Sequence, residues 1–325
     1  MIARVFVQLP CSLAVPDRQE YPVAEYEDRG YRISIFPPGR GDRSAQSPDL
    51  EYIKVEGREA FEADVFRIDF QKDTFDRAEH APLDPPELLV QEVVNSFLVR
   101  LRHVSNAAHV RPLSFPLGTW RVEYLNDDET KPEKQEGLVS GRGCVHCCVR
   151  CVGLSRDIWD RVHALPPDYQ PPLWDSLLLD ASEELPNVGA TMVLACTALE
   201  VFISRILHNL APSTVTPLEL WKWINHRGDW RKEPSVGEQY DALLSTLAGH
   251  SLKEDNALWE AFKSIKKARD SFVHEGVTTV GADCAPALLI SAAAIIARVR
   301  AWLPEQMRWP EVRARCMIEV CTRML

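Results

Sequence analysis

The sequence predicts an α+β protein. Residues 1–165 form a mixed α/β domain rich in antiparallel strands, and residues 173–325 form an all-α helical bundle. Three observations predict it. Asp64–Phe70 (DVFRIDF) alternates, with Phe66, Ile68 and Phe70 on one face and Val65, Arg67 and Asp69 on the other, the period of a half-buried strand. Leu165–Pro172 (LPPDYQPP) carries four prolines in eight residues, which disfavours both helix and central strand and marks a boundary. Beyond it the apolar residues read as helical. At about 150 residues per domain, 325 residues also suggest two domains.

Taken in order, Ala3–Leu9 (ARVFVQL), Tyr31–Phe36 (YRISIF) and Glu51–Val55 (EYIKV) are short segments rich in β-branched and aromatic residues, separated by Pro, Gly, Asp and Ser clusters. The alternating strand Asp64–Phe70 follows. Pro86–Val104 then switches to helical spacing, with Leu89, Val93, Phe97 and Leu101 in one stripe and Pro86 at the start. Gly118–Leu125 and Gly137–Leu154 read as two further strands joined by the polar loop NDDETKPEKQE, hence a hairpin. After the proline cluster, Asn187–Leu210 is a strongly apolar helix. Short helices start at Thr216–Pro217 and at Gly237. Ser251 with Glu254 forms a capping box that opens a helix running to His274, and Gly276 stops it. Ala285–Leu303 and Trp309–Met324 complete the bundle.

Composition narrows the function. Residues 1–185 carry 21 basic and 32 acidic side chains, whereas residues 186–325 carry 16 and 15, so the net charge of -10 resides in the first half. Such a chain is not built to coat itself in nucleic acid, although a local RNA site in the second half is compatible with it. No N-terminal apolar segment reads as a signal peptide, and nine cysteines without one fit a reducing cytoplasm. The run Ala287–Ala297 is too short to span a bilayer, which predicts no membrane association. The cluster CVHCCVRC (Cys144–Cys151) holds two CxxC pairs with His146. On a strand, however, Cys144 and Cys148 face away from Cys147 and Cys151, so buried strand residues are favoured over a zinc site. Trp221, Trp223 and Trp230, among Lys222, Arg227 and Arg231, offer RNA stacking or, more simply, core packing. Asp127, Asp128 and Glu129 read as a solvated turn. Neither GxSxG nor a phosphate-cradling glycine loop is present.

The chemistry gathers at Arg269–Gly276 (RDSFVHEG). Leu258, Phe262, Ile265 and Phe272 line one stripe, and Arg269 falls within it, where a guanidinium needs a partner. One option is Glu200, at the edge of the earlier helix's apolar stripe. His274 lies on the other side, with Asp270 one turn before it and Lys263 and Lys267 sharing that side; with Lys266 they form a basic, RNA-compatible edge or an ordinary solvated face. A second Arg–His pair, Arg102 and His109, is set aside as chance.

Arg269, Asp270 and His274, followed by Gly276 and a long apolar helix, resemble the signature of the HEPN superfamily, as does ALEVFISRIL in the earlier helix. The resemblance covers about residues 173–325. It implies metal-independent and cofactor-free endoribonuclease activity at a composite site across a homodimer. His274 would act as general acid or base, Arg269 would hold the phosphorane, and Asp270 would orient either partner, leaving 2′,3′-cyclic phosphate ends. By analogy it implies a toxin or anti-phage effector, with the first domain binding an unknown ligand or regulator. The alternative is a non-catalytic dimerisation or nucleotide- or RNA-binding module, with Arg269 paired to Glu200 and His274 at the helix-end dipole.

Overall fold

A computed structural model describes residues 1–42, 50–75, 84–126, 139–140, 151–211, 234–314 and 318–322. The protein is α+β, and the chain divides into two compact units. One unit comprises Met1–Gln170 with Val312–Leu325, the other Pro171–Glu311.

The first unit is built on a predominantly antiparallel sheet. Its strands are β1 (Ile2–Pro16), β2 (Ala24–Asp28), β3 (Tyr31–Ile35), β4 (Leu50–Val55), β5 (Arg58–Gln71), β6 (Trp120–Leu125), β7 (Val139–Ser140) and β8 (Cys151–Gly153). They run in the order β2-β3-β5-β1-β6-β7, with β8 parallel to β1 and β4 pairing with β5. Antiparallel pairing of β6 with β7 forms the expected hairpin. On β1, Ala3, Val5, Val7 and Leu9 point inward, and Phe66, Ile68 and Phe70 do so on β5, because side chains alternate across a pleat. Helix α1 (Glu87–Ser105) covers this face, with Phe97 stacked on Phe66 at 4.3 Å between ring centroids. The other face is polar: Asp69 takes both Arg4 (2.9 Å) and Arg67 (2.8 Å).

Two elements of this unit carry weaker sequence signals. Strand β2 (AEYED) is an edge strand whose charges discourage further pairing. Helix α2 (Arg156–Ala164) has an apolar face of only Ile158, Trp159 and Val162. Ser155 caps it, and the i,i+4 pairs Arg156–Asp160 and Asp157–Arg161 support it.

The second unit packs α3 (Leu173–Glu183), α4 (Val188–Leu210), α5 (Val236–Glu238), α6 (Leu244–Ala248), α7 (Asn256–Glu275) and α8 (Ala285–Trp302). A π turn over Gln239–Leu243 joins α5 to α6. The core centres on Leu199, Phe202, Phe262, Ile265, Ile295 and Val299, and the buried Tyr240 hydroxyl donates to the Leu199 carbonyl at 2.9 Å. The capping box at Ser251 and Glu254 forms, but it opens a 3-10 turn. Helix α7 begins one residue after Asp255, which caps it. By length and composition α4 and α8 each suffice to cross a membrane, as core helices also do; the apolar stretch is 56% buried in α4 and 33% in α8. The run at 287–297 lies within α8, whose bounds agree with the helix expected at Ala285–Leu303 to within one residue.

The C-terminal segment corrects an expectation. Among the described residues of the helix expected at 309–324, 309–314 and 318–322 are not helical. Ile318–Thr322 forms β9, which pairs antiparallel with β4 (Ile53↔Val320, Val55↔Ile318), so this segment belongs to the first unit. The β-branched residues Ile318, Val320 and Thr322 alternate, and Pro304 and Pro310 disfavour helix between α8 and the strand. The short helix expected at 216–226, the tryptophan cluster, the acidic run 127–129 and Cys144–Cys148 lie outside the described residues.

Candidate functional site

The candidate site lies where α7 packs on α4. Helix α7 forms because its apolar residues recur at helical spacing: Phe262, Ile265 and Ala268 are buried, and Leu258 and Phe272 are half-buried. It stops at Gly276, which adopts a φ of 70° and donates its N–H to the Phe272 carbonyl at 3.0 Å. Arg269 lies on the apolar side, so its guanidinium meets α4. There Glu200 Oε1 accepts from Arg269 Nη2. The Cys196 thiol, one turn earlier on α4, donates to the same Glu200 oxygen at 3.7 Å.

The guanidinium also reaches sideways. Arg269 Nη1 lies 2.9 Å from Asp270 Oδ1, and Lys266 Nζ lies 2.7 Å from Asp270 Oδ2. Cys196–Glu200–Arg269–Asp270–Lys266 is thus one continuous polar chain. Its ion-paired side chains are partly accessible: 25% for Arg269, 30% for Glu200, 35% for Asp270 and 38% for Lys266. Partial burial works against the charge on Arg269, but Cys196, Glu200 and Asp270 outweigh it and hold its pKa above the usual arginine value. Burial likewise pushes the Asp270 carboxyl up, but Lys266, Arg269 and His274 outweigh it and hold it below the usual range. Both groups therefore remain charged at neutral pH. Burial pushes the Cys196 thiol up to about 11, so this cysteine is a hydrogen-bond donor here and not a ready nucleophile.

His274 projects from the last turn of α7. It is exposed, and among the described residues its ring makes no hydrogen bond. Five residues along a helix correspond to about 7.5 Å of rise and about 140° of rotation. Arg269 and His274 therefore leave α7 on different faces, and one copy of the helix does not present both to a single phosphate from the same side. Val273 and Val277 flank His274 and are themselves exposed. Of the lysines proposed to contact RNA, Lys263 pairs with Glu260 at 2.6 Å, Lys266 with Asp270, and Lys267 is exposed.

Arg102 of the second Arg–His pair has a structural role. Arg102 donates to the Ala108 carbonyl through Nε (3.2 Å) and Nη2 (3.1 Å), tying down the chain just after α1. Cys196 is the member of the site that sequence reasoning overlooked, although its position four residues before Glu200 was the available signal. Among the described residues no cluster of three or more His, Cys, Asp or Glu is arranged to hold a metal ion. No protein-family model, curated protein or solved structure matches the chain.

Proposed function

We propose that the second unit is a HEPN-type endoribonuclease that cuts RNA without metal or cofactor, at a site completed by a second copy of the chain. The observation that carries this reading is the exposed His274 five residues beyond an ion-paired Arg269 at the end of α7. Attack of the 2′-hydroxyl on the adjacent phosphorus needs a group that removes one proton and a group that delivers one to the departing 5′-oxygen. An accessible imidazole serves either role. Negative charge accumulates on the phosphorane, and an arginine anchored by Glu200 stabilises it. Because Arg269 and His274 diverge on one helix, the reading places two α7 ends together across a homodimer. The exposed Val273 and Val277 beside His274 supply apolar surface for that contact. Lys263 and Lys267 extend a cationic track for the RNA backbone. The first unit binds a ligand or regulator, and the chain acts in the cytoplasm as a toxin or anti-phage effector.

The pairing of Arg269 with Glu200 favours a second reading, a non-catalytic dimerisation or RNA-binding module in which Arg269 is a structural cation between helices. Incubating the full chain with mixed cellular RNA in EDTA separates the two. The expected outcome is cleavage with 2′,3′-cyclic phosphate ends, abolished in both His274→Ala and Arg269→Ala at unchanged oligomeric state. Cleavage that persists equally in both variants would overturn the assignment.

A further inference from the structure

We infer that Asp270 is an electrostatic gate on the phosphate position of this site: its carboxylate occupies the two cations, Arg269 and Lys266, that an RNA phosphodiester would engage. The inference rests on the ribonuclease reading above and concerns how tightly that site takes its substrate.

Each Asp270 oxygen is committed, Oδ1 to Arg269 Nη1 at 2.9 Å and Oδ2 to Lys266 Nζ at 2.7 Å. Adjacent residues on a helix diverge by about 100°, so Arg269 meets Asp270 only by folding its guanidinium around the helix. Glu200 meanwhile takes Nη2, so both terminal nitrogens of the guanidinium already face a carboxylate. The charges of Arg269, Lys266, Glu200 and Asp270 cancel. A phosphate approaching this group meets no net attraction from it.

The two carboxylates are not equivalent. Glu200 belongs to α4, accepts the Cys196 thiol on the same oxygen, and joins two packed helices. Asp270 stands on α7 itself, on the side that carries Lys263, Lys266, Lys267 and His274. A phosphodiester presents two anionic oxygens in a fork like that of a carboxylate, and a guanidinium and an ammonium accept either. Entry of RNA therefore exchanges Asp270 for a phosphate on Arg269 and Lys266, while Glu200 stays in place.

The test is equilibrium binding of an uncleavable 2′-O-methyl single-stranded oligonucleotide to the full chain across a salt series, with cleavage of ordinary RNA measured in parallel. Asp270→Asn keeps the shape and removes the charge, and Asp270→Ser is a second variant should the first fold poorly. Removing a like charge about 4 Å from the phosphate is expected to tighten binding at least about fivefold. The slope of log affinity against log salt should steepen by about 0.7 for each cation released to the phosphate, a change that a merely structural role would not produce. Adding Arg269→Ala to Asp270→Asn should remove the gain. Unchanged or weaker binding by both Asp270 variants, with an unchanged salt slope, overturns the gate. If the wild-type chain still cuts RNA in that case, the ribonuclease reading survives. If neither wild type nor variants bind the oligonucleotide and wild type does not cut, both fall together.

Discussion

Glu200 and Asp270 both ion-pair Arg269, but they hold it for different ends. The Glu200 contact crosses the α4–α7 seam, where an unpaired guanidinium would sit on the helix face that buries Ile265 and Ala268. Glu200→Ala is therefore expected to lower unfolding free energy by about 1–2 kcal/mol in a denaturant titration, below the cost of breaking a fully buried pair because Arg269 retains some access to water. Glu200→Gln, which keeps an acceptor, should lose less. The Lys266–Asp270 pair stands at i,i+4 spacing, and Glu200 stood among the options for Arg269. The resemblance left open whether Asp270 would orient Arg269 or His274, and periodicity does not favour Arg269, because neighbouring side chains on a helix ordinarily diverge.

At the scale of elements, the contact between the ends of α4 and α7 depends on a missing side chain. A Cβ on Gly189, in the first turn of α4, would lie 2.2 Å from Cε2 of Phe272. In an isolated helix Gly→Ala is worth about 1 kcal/mol in favour of alanine. Here the ring must move, and overpacking of this kind costs about 1–3 kcal/mol. Gly189→Ala is expected to lower the melting temperature and, because Phe272 lies between Arg269 and His274, to disturb any activity that needs both. Gly276→Ala should cost about 1 kcal/mol in the same measurement, since its left-handed φ of 70° disfavours a side chain. The stop at Gly276 was readable in the sequence. The closeness of Gly189 to Phe272 was not, since it joins residues 83 positions apart.

For the molecule as a whole, pH dependence is expected to originate in the first unit. Burial first, then Arg313, pushes His103 down to about 4, and burial first, then Arg100, pushes His163 to about 3. Each histidine is neutral when folded and titrates near 6.5 when unfolded, so the unfolded chain binds more protons as pH falls below 6.5. Stability is therefore full above about pH 6.5 and declines as acid approaches the folded values. Melting temperatures from pH 7 to pH 5 should fall for the wild type, and the fall should be shallower for His103→Gln and His163→Gln.

What the sequence by itself determined is what neighbours within a few residues encode. The alternation of β5, the stripe and glycine stop of α7, the break at the proline cluster, and the placement of Arg269 on an apolar face with His274 among lysines all follow from period and turn chemistry. Tertiary structure alone decided what lies across long loops. It drew Ile318–Thr322 back onto β4 and out of the bundle, and selected Glu200 for Arg269. The physical reason is that local periodicity states which face of an element is apolar, whereas the partner that covers the face is chosen by packing among all the elements at once.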